Sequence, residues 1–218
     1  MKKELEYFTI EGAYGGNQEW FTNIVMNMGG CAAASACDCC IYLALRKGLK
    51  NLYPYSVHEL TKEDYISFSQ KMKPYIRPRI GGVKKLEWFI SGFEQYIEDV
   101  NTKADSLRLG TEQGDHVCIN MEAFSGENSY ESARDMIRQQ IDAGYPVPYL
   151  LLRHKKAEKY KDYIWHWFLL VGYEEAGDDM LVKTATYGES DTFSLRELWD
   201  TGNTEKGGIV RLRIRHEK

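Results

Sequence analysis

No run of roughly 18 or more apolar residues occurs in this sequence, so no segment is expected to cross a bilayer as a helix. The lysines of Met1-Lys2-Lys3-Glu4-Leu5-Glu6 have no apolar stretch behind them, and the opening does not read as an export signal. A basic excess is also missing. The 28 Lys and Arg stand against 32 Asp and Glu, and the resulting net charge of −4 provides no field that would hold a phosphate backbone. No nucleic-acid and no membrane partner is therefore expected, and small basic clusters such as Arg153 to Lys156 read as solvated loop. Cysteines are few and odd in number: five, with Cys37, Cys39 and Cys40 crowded together. No Cys-x-x-Cys turn has a matching second pair, and consecutive helical residues point in different directions, so neither a metal nor another cofactor is expected. Together with the missing export signal, this favours reduced thiols in a cytoplasm over a disulfide framework.

No internal repeat, linker or low-complexity stretch divides the 218 residues, and a single domain over 1–218 is expected. Hydrophobic residues at 43% and charged ones at 28% are ordinary for a globular chain. The 15 Tyr and 5 Trp suit either a tightly packed interior or an aromatic-lined cleft. The glycine-rich first thirty residues read as ordered loop. From Cys31 to Arg46 small residues dominate up to a stop at Gly48, which predicts a central helix that its neighbours approach closely. Thr61, with Glu63 and Asp64 behind it, predicts a capped helix to about Lys73. Leu86, Phe89, Ile90, Phe93 and Ile97 mark an amphipathic helix, and Ser129 with Glu131 opens another that ends at Gly144. Beyond Gly144 the period changes. Val147 to Leu152, His166 to Tyr173, Met180 to Thr186 and Ile209 to Ile214 read as antiparallel strands, with a short capped helix from Ser194 to Trp199. The predicted class is α+β, with a helical part over about 1–145 and a sheet part over about 146–218 around one core.

Two residues stand where chemistry is possible. Cys31 follows Gly29-Gly30 and opens the small-residue helix. Backbone N–H groups at a helix start stabilise an anion, which predicts a lowered thiol pKa, and the glycines would let a substrate approach the sulfur. The alternative use of Cys31 is as a small buried residue. His166 lies at the start of an apolar strand, as a general base or as a satisfied core histidine. A cysteine first on a helix, a histidine later on a strand and a polar residue on the next strand is the order a thiol hydrolase needs. His58, His116, His154 and His216 stand in polar or loop contexts and are expected to be exposed. Trp20, Trp165 and Trp167 are candidates for a groove wall or for core packing.

In three stretches the chain resembles the papain-like superfamily and, within it, the bacterial C39-like peptidases: Gly15 to Phe21, Gly29 to Ser35, and the His-x-x-x-x-x-Gly-Tyr run from His166 to Tyr173. Leu195 to Trp199 is similar to the segment that follows the active strand in that family, whereas residues 50 to 145 resemble nothing placed. The resemblance implies a papain-like fold and a peptidase, amidase or acyl transferase working through a thioester. Its substrate would be a peptide or a small amide or ester. Cys31 would be the nucleophile, His166 the base and then the acid, and Gln18 a side-chain donor to the oxyanion beside the Cys31 N–H. Gln18 lies further ahead of the cysteine than the family spacing, with Asn27 and Asn17 as substitutes. The Asp or Asn implied on the next strand falls at Thr184, with Thr186 and Asp191 as neighbouring candidates to orient the ring. A hydroxyl there would add no negative charge, which leaves a second expectation open: a catalytically silent protein that binds a peptide or small molecule in the inherited cleft.

Overall fold

The glycine-rich opening is more regular than a loop. It holds strand β1 (Lys2–Glu4), a hairpin of β2 (Thr9–Ile10) and β3 (Ala13–Tyr14), a 3-10 turn at Gln18–Trp20, and helix α1 (Ile24–Gly29). These come from a computed structural model that describes residues 1–79, 81–106 and 118–214. Asn23 caps α1 by accepting the Met26 N–H at 3.2 Å.

Helix α2 (Cys31–Arg46) follows after Gly30 alone, and nearly all of its residues are buried. Alanine, cysteine and serine side chains are short enough for neighbours to close in from several sides, which is the packing their run predicts. Gly48, at φ +72°, supplies the left-handed residue past its end. Helix α3 (Lys62–Met72) starts at Thr61, whose hydroxyl accepts the Asp64 N–H at 3.1 Å. Helix α4 (Leu86–Ser106), strand β4 (Ile119–Ser125) and helix α5 (Tyr130–Asp142) complete the first part, α5 being capped by Ser129. Strands β5 (Val147–Leu151), β6 (His166–Ala176), β7 (Asp179–Ala185) and β8 (Thr192–Ser194), helix α6 (Leu195–Trp199) and strand β9 (Gly207–Ile214) follow.

Seven strands form one antiparallel sheet in the order β4-β9-β5-β6-β7-β8, with β1 also paired to β6. The fold is thus α+β, as the pattern predicts, but the division near residue 145 is not a division of the sheet. β4 pairs with β9 along its whole length, from Ile119 opposite Ile214 to Ser125 opposite Gly208. β1 pairs Lys3 with Tyr173. β4 mixes buried apolar residues with polar ones, β1 is exposed throughout, and both lack the apolar run that marks β5 and β6. β5 and the first eight residues of β6 are buried throughout. Helix α2 packs on β6, which brings the start of α2 to the start of that strand. Trp167 stacks on Phe89 of α4 at 4.5 Å and donates its indole N–H to the Val83 carbonyl, so its ring is held in the core.

Candidate functional site

Cys31 is the first residue of α2 and Gly30 is its cap. The expectation that Gly29-Gly30 open a path to the sulfur holds only in part. A Cβ on Gly30 would lie 2.3 Å from the Met26 carbonyl oxygen and 3.2 Å from the Phe21 ring, so this glycine serves the tight passage from α1 into α2. The Cys31 side chain is 6% exposed. Backbone N–H groups of Trp167 and Ala32 point at its sulfur and favour the thiolate, but burial outweighs them and pushes the thiol above its ordinary pKa. The helix start alone predicts the opposite direction. The amide dipoles are present, and desolvation wins.

His166 opens β6 and is 4% exposed. Trp165, immediately before it, takes the left-handed conformation at φ +57°, a strained one for a large side chain, and keeps 39% of its surface in solvent. The ring's Nε2 lies 2.7 Å from Thr186 Oγ1. Tyr187 stacks on the imidazole with centroids 4.6 Å apart and planes within 5°, its hydroxyl 3.4 Å from Nδ1. A parallel stack puts that hydroxyl over the ring and outside the plane of the nitrogen lone pair, so the contact is mainly one of packing. Burial holds the imidazole neutral, with a pKa lowered to about 3. The pair is therefore a thiol and a neutral imidazole; the expected thiolate beside a basic ring is not its resting state. With Thr186 accepting from Nε2–H, Nδ1 keeps its lone pair, the tautomer that a base for a thiol requires.

Thr186 holds the ring and Thr184 does not. Thr184 Oγ1 meets the Tyr163 hydroxyl at 3.0 Å and the Asp191 backbone on both its N–H and C=O. Asp191 accepts from the same tyrosine at 2.7 Å. Tyr163 in turn stands edge-on to His166 at 6.4 Å, so these three form a layer behind the ring. Thr184 and Thr186 share a strand face by the two-residue period, and alternation alone cannot choose between them. The choice is made by register. β7 runs antiparallel to β6 with an irregularity between Leu170 and Gly172, and the first residue of β6 meets the segment just past Ala185.

That segment is a two-residue turn. Thr186 and Glu189 exchange backbone hydrogen bonds, while Tyr187 and Gly188 both have positive φ, at +52° and +74°. The turn is clamped to the N-terminal loop. Gly188 N–H donates to the Gly16 carbonyl at 3.0 Å, Tyr14 N–H to the Gly188 carbonyl at 2.7 Å, and Asn17 Nδ2 to the Tyr187 carbonyl at 2.9 Å. Gln18 emerges from this clamp and reaches the cavity that also receives Cys31, His166, Thr186 and Tyr187. Its Nε2 donates to the Asn27 carbonyl of α1 at 3.1 Å, and its buried Oε1 has no partner among the described residues. Asn27 and Asn17 are occupied as scaffolding, the first donating to the Glu19 carbonyl and the second capping Glu19 N–H. The cavity measures about 10 Å³, room for one water.

Asp38 lines the same cavity and is not among the residues that motif and spacing single out. Its signal was present: from Cys31 to Leu45 it is the sole charged residue. His154, expected to be exposed, is 4% exposed, with Nδ1 accepting the Lys156 N–H and Nε2 facing the Glu197 carbonyl. His58 is exposed, whereas His116 and His216 lie outside the described residues. Cys37, Cys39 and Cys40 are fully buried, each thiol pushed well up by burial. Compared with known proteins, the chain matches no family model, no curated protein and no solved structure.

Proposed function

We propose that this chain is a papain-like thiol enzyme of the kind represented by the C39-like peptidases, acting as a peptidase, amidase or acyl transferase through a thioester on Cys31. The supporting observation is that the Cys31 thiol and the His166 ring line one cavity, with the ring held by Thr186 and the N–H of the next residue, Trp167, directed at the sulfur. In this reading Cys31 Sγ attacks the substrate carbonyl carbon while its proton passes to His166 Nδ1. The developing oxyanion meets the Cys31 backbone N–H and the Gln18 amide. Collapse of the adduct forms the thioester, and His166 returns the proton to the departing amine or alcohol. Water or an amine then attacks the thioester, gives its proton to the ring, and the ring reprotonates the sulfur. The test is turnover of a broad panel of amides and activated esters. Cys31→Ala is expected at the uncatalysed rate and His166→Ala down by about 10²–10⁴-fold. Cys31→Ala protein as active as wild type would end the reading.

A second reading has its own observation. Thiol and imidazole are both neutral, and the ring's partner is an uncharged hydroxyl, an arrangement suited to a catalytically silent protein that binds a peptide or small molecule. Equal affinity of wild type and Cys31→Ala for one ligand, with no turnover across the panel, would favour it.

A further inference from the structure

Cys31, Ser35 and Asp38 follow one another at helical spacing along one face of α2, and all three line the cavity. Asp38 is 4% exposed, and its carboxylate is satisfied by neutral donors alone. Oδ2 accepts from the Tyr7 hydroxyl at 2.8 Å and from the Gly16 N–H at 3.1 Å; Oδ1 accepts from the Tyr65 hydroxyl at 2.8 Å. The groups facing it are Tyr7 from the segment after β1, Tyr65 from α3 and the Gly16 backbone, and its charge also reaches the thiols of Cys37, Cys39 and Cys40 on its own helix, holding each of them up. Tyr14 lies beyond Tyr7. Among the described residues no cation pairs with this carboxylate. A buried charge held this way is expensive, and a neutral side chain of the same shape would be the cheaper occupant of the site.

What the carboxylate holds is the loop that delivers Gln18. A Cβ at Gly15 would lie 2.8 Å from Asp38 Oδ2, and one at Gly16 would lie 2.0 Å from the Tyr65 ring, so the loop lies directly on the Asp38, Tyr7 and Tyr65 triangle. From Gly16 the connection runs to the Tyr187–Gly188 turn through the clamp described above, and hence to the stack on His166.

We propose that Asp38 is a positioning residue for the Cys31–His166 site, whose ionised carboxylate fixes the Gly15–Gln18 loop and whose protonation releases it. The link to catalysis rests on the thiol-enzyme reading above; the link to the loop does not. Burial raises the Asp38 pKa to about 6, so the loop is held above that pH and let go below it. The Tyr65 hydroxyl has the Ala34 carbonyl, 3.3 Å away, as a second acceptor when the carboxyl takes its proton.

The experiment is an NMR pH titration of the whole chain that follows the Gly16 amide proton and the Gln18 side-chain amide. It is paired with p-nitrophenyl acetate turnover by wild type, Asp38→Asn and Cys31→Ala. In the wild type both resonances are expected to move together with a midpoint near 6. In Asp38→Asn neither moves, because the amide does not titrate and stands in for the uncharged carboxyl at every pH. The ratio of wild-type to Asp38→Asn kcat/KM is expected to be about tenfold at pH 8, the loss of a charge-assisted hydrogen bond, and to fall toward one below pH 5. A wild-type titration in which Gly16 is still, or moves without Gln18, overturns the proposal, and that result needs no variant to fold. If both resonances move and Cys31→Ala hydrolyses the ester as fast as wild type, the loop assignment stands and the thiol-enzyme reading is the one that fails.

Discussion

At the scale of single residues the site is poised by burial more than by charge. Cys31 is pushed up and His166 is pushed down to about 3, both by desolvation, and Thr186 brings no charge to offset either shift. Introducing a carboxylate at the ring's Nε2 partner reverses the sign for the imidazole, since an opposite charge at contact favours its protonated form. Thr186→Asp is therefore expected to raise iodoacetamide alkylation of Cys31 at pH 7 by about tenfold, the equivalent of one pKa unit or about 1.4 kcal/mol. An unchanged rate would mean that the orienting group does not limit the thiol. Thr186→Val should instead leave Nε2 buried and unpaired, lowering stability by about 1–3 kcal/mol in denaturant unfolding. Residue chemistry marked Cys31 and His166 in the sequence because helix starts and apolar strand starts are local features. The choice of Thr186 over Thr184 depends on a register irregularity opposite Leu170 and Gly172, and no single residue type announces that.

At the scale of elements, the loop from Gly15 to Gln18 decides whether the site exists, and it is built from glycine because its two faces are both occupied. Gly16→Ala would place a methyl group 2.0 Å from the Tyr65 ring. Overpacking of this kind costs about 1–3 kcal/mol. The expected outcome is a matching drop in unfolding free energy, together with a loss of turnover larger than the stability change accounts for, because Gln18 moves with the loop. A variant with normal stability and normal turnover would show that the loop tolerates displacement. Except for α1, which lies in the opening that reads as loop, the helices were legible: α2 and α6 have the predicted starts and ends, and Thr61 and Ser129 are the caps expected of them. β4 was not. Ile119 and Met121 are buried but separated by Asn120 and followed by Glu122, so its apolar content is too thin to read without the partner strand β9 in view. β1 is three exposed residues whose strand identity comes entirely from pairing to β6.

At the scale of the whole molecule, two buried groups pull the stability curve in opposite directions. His166 is depressed from 6.5 to about 3, so the native state refuses a proton that the unfolded chain accepts, and stability is lost as pH falls through that window. Asp38 is raised from 3.8 to about 6, so the native state keeps a proton that the unfolded chain releases, and stability is lost as pH rises between those values. Asp38→Asn removes only the second effect. It is expected to leave acid stability near that of wild type and to gain up to about 3 kcal/mol at pH 7–8. Denaturant midpoints across pH 4–8 check this; a variant destabilised at every pH would show that the three hydrogen bonds outweigh the buried charge.

The clamp between residues 14–17 and residues 187–188 joins parts of the chain made at opposite ends of synthesis. While a ribosome is still producing the middle of the molecule, Cys31 has neither its imidazole nor the burial that raises its thiol, and it is an ordinary exposed cysteine. Cys31 and His166 come to share one cavity only after the turn that follows β7 has been made and has met the opening loop, so the last third of the chain sets when the buried pair is assembled.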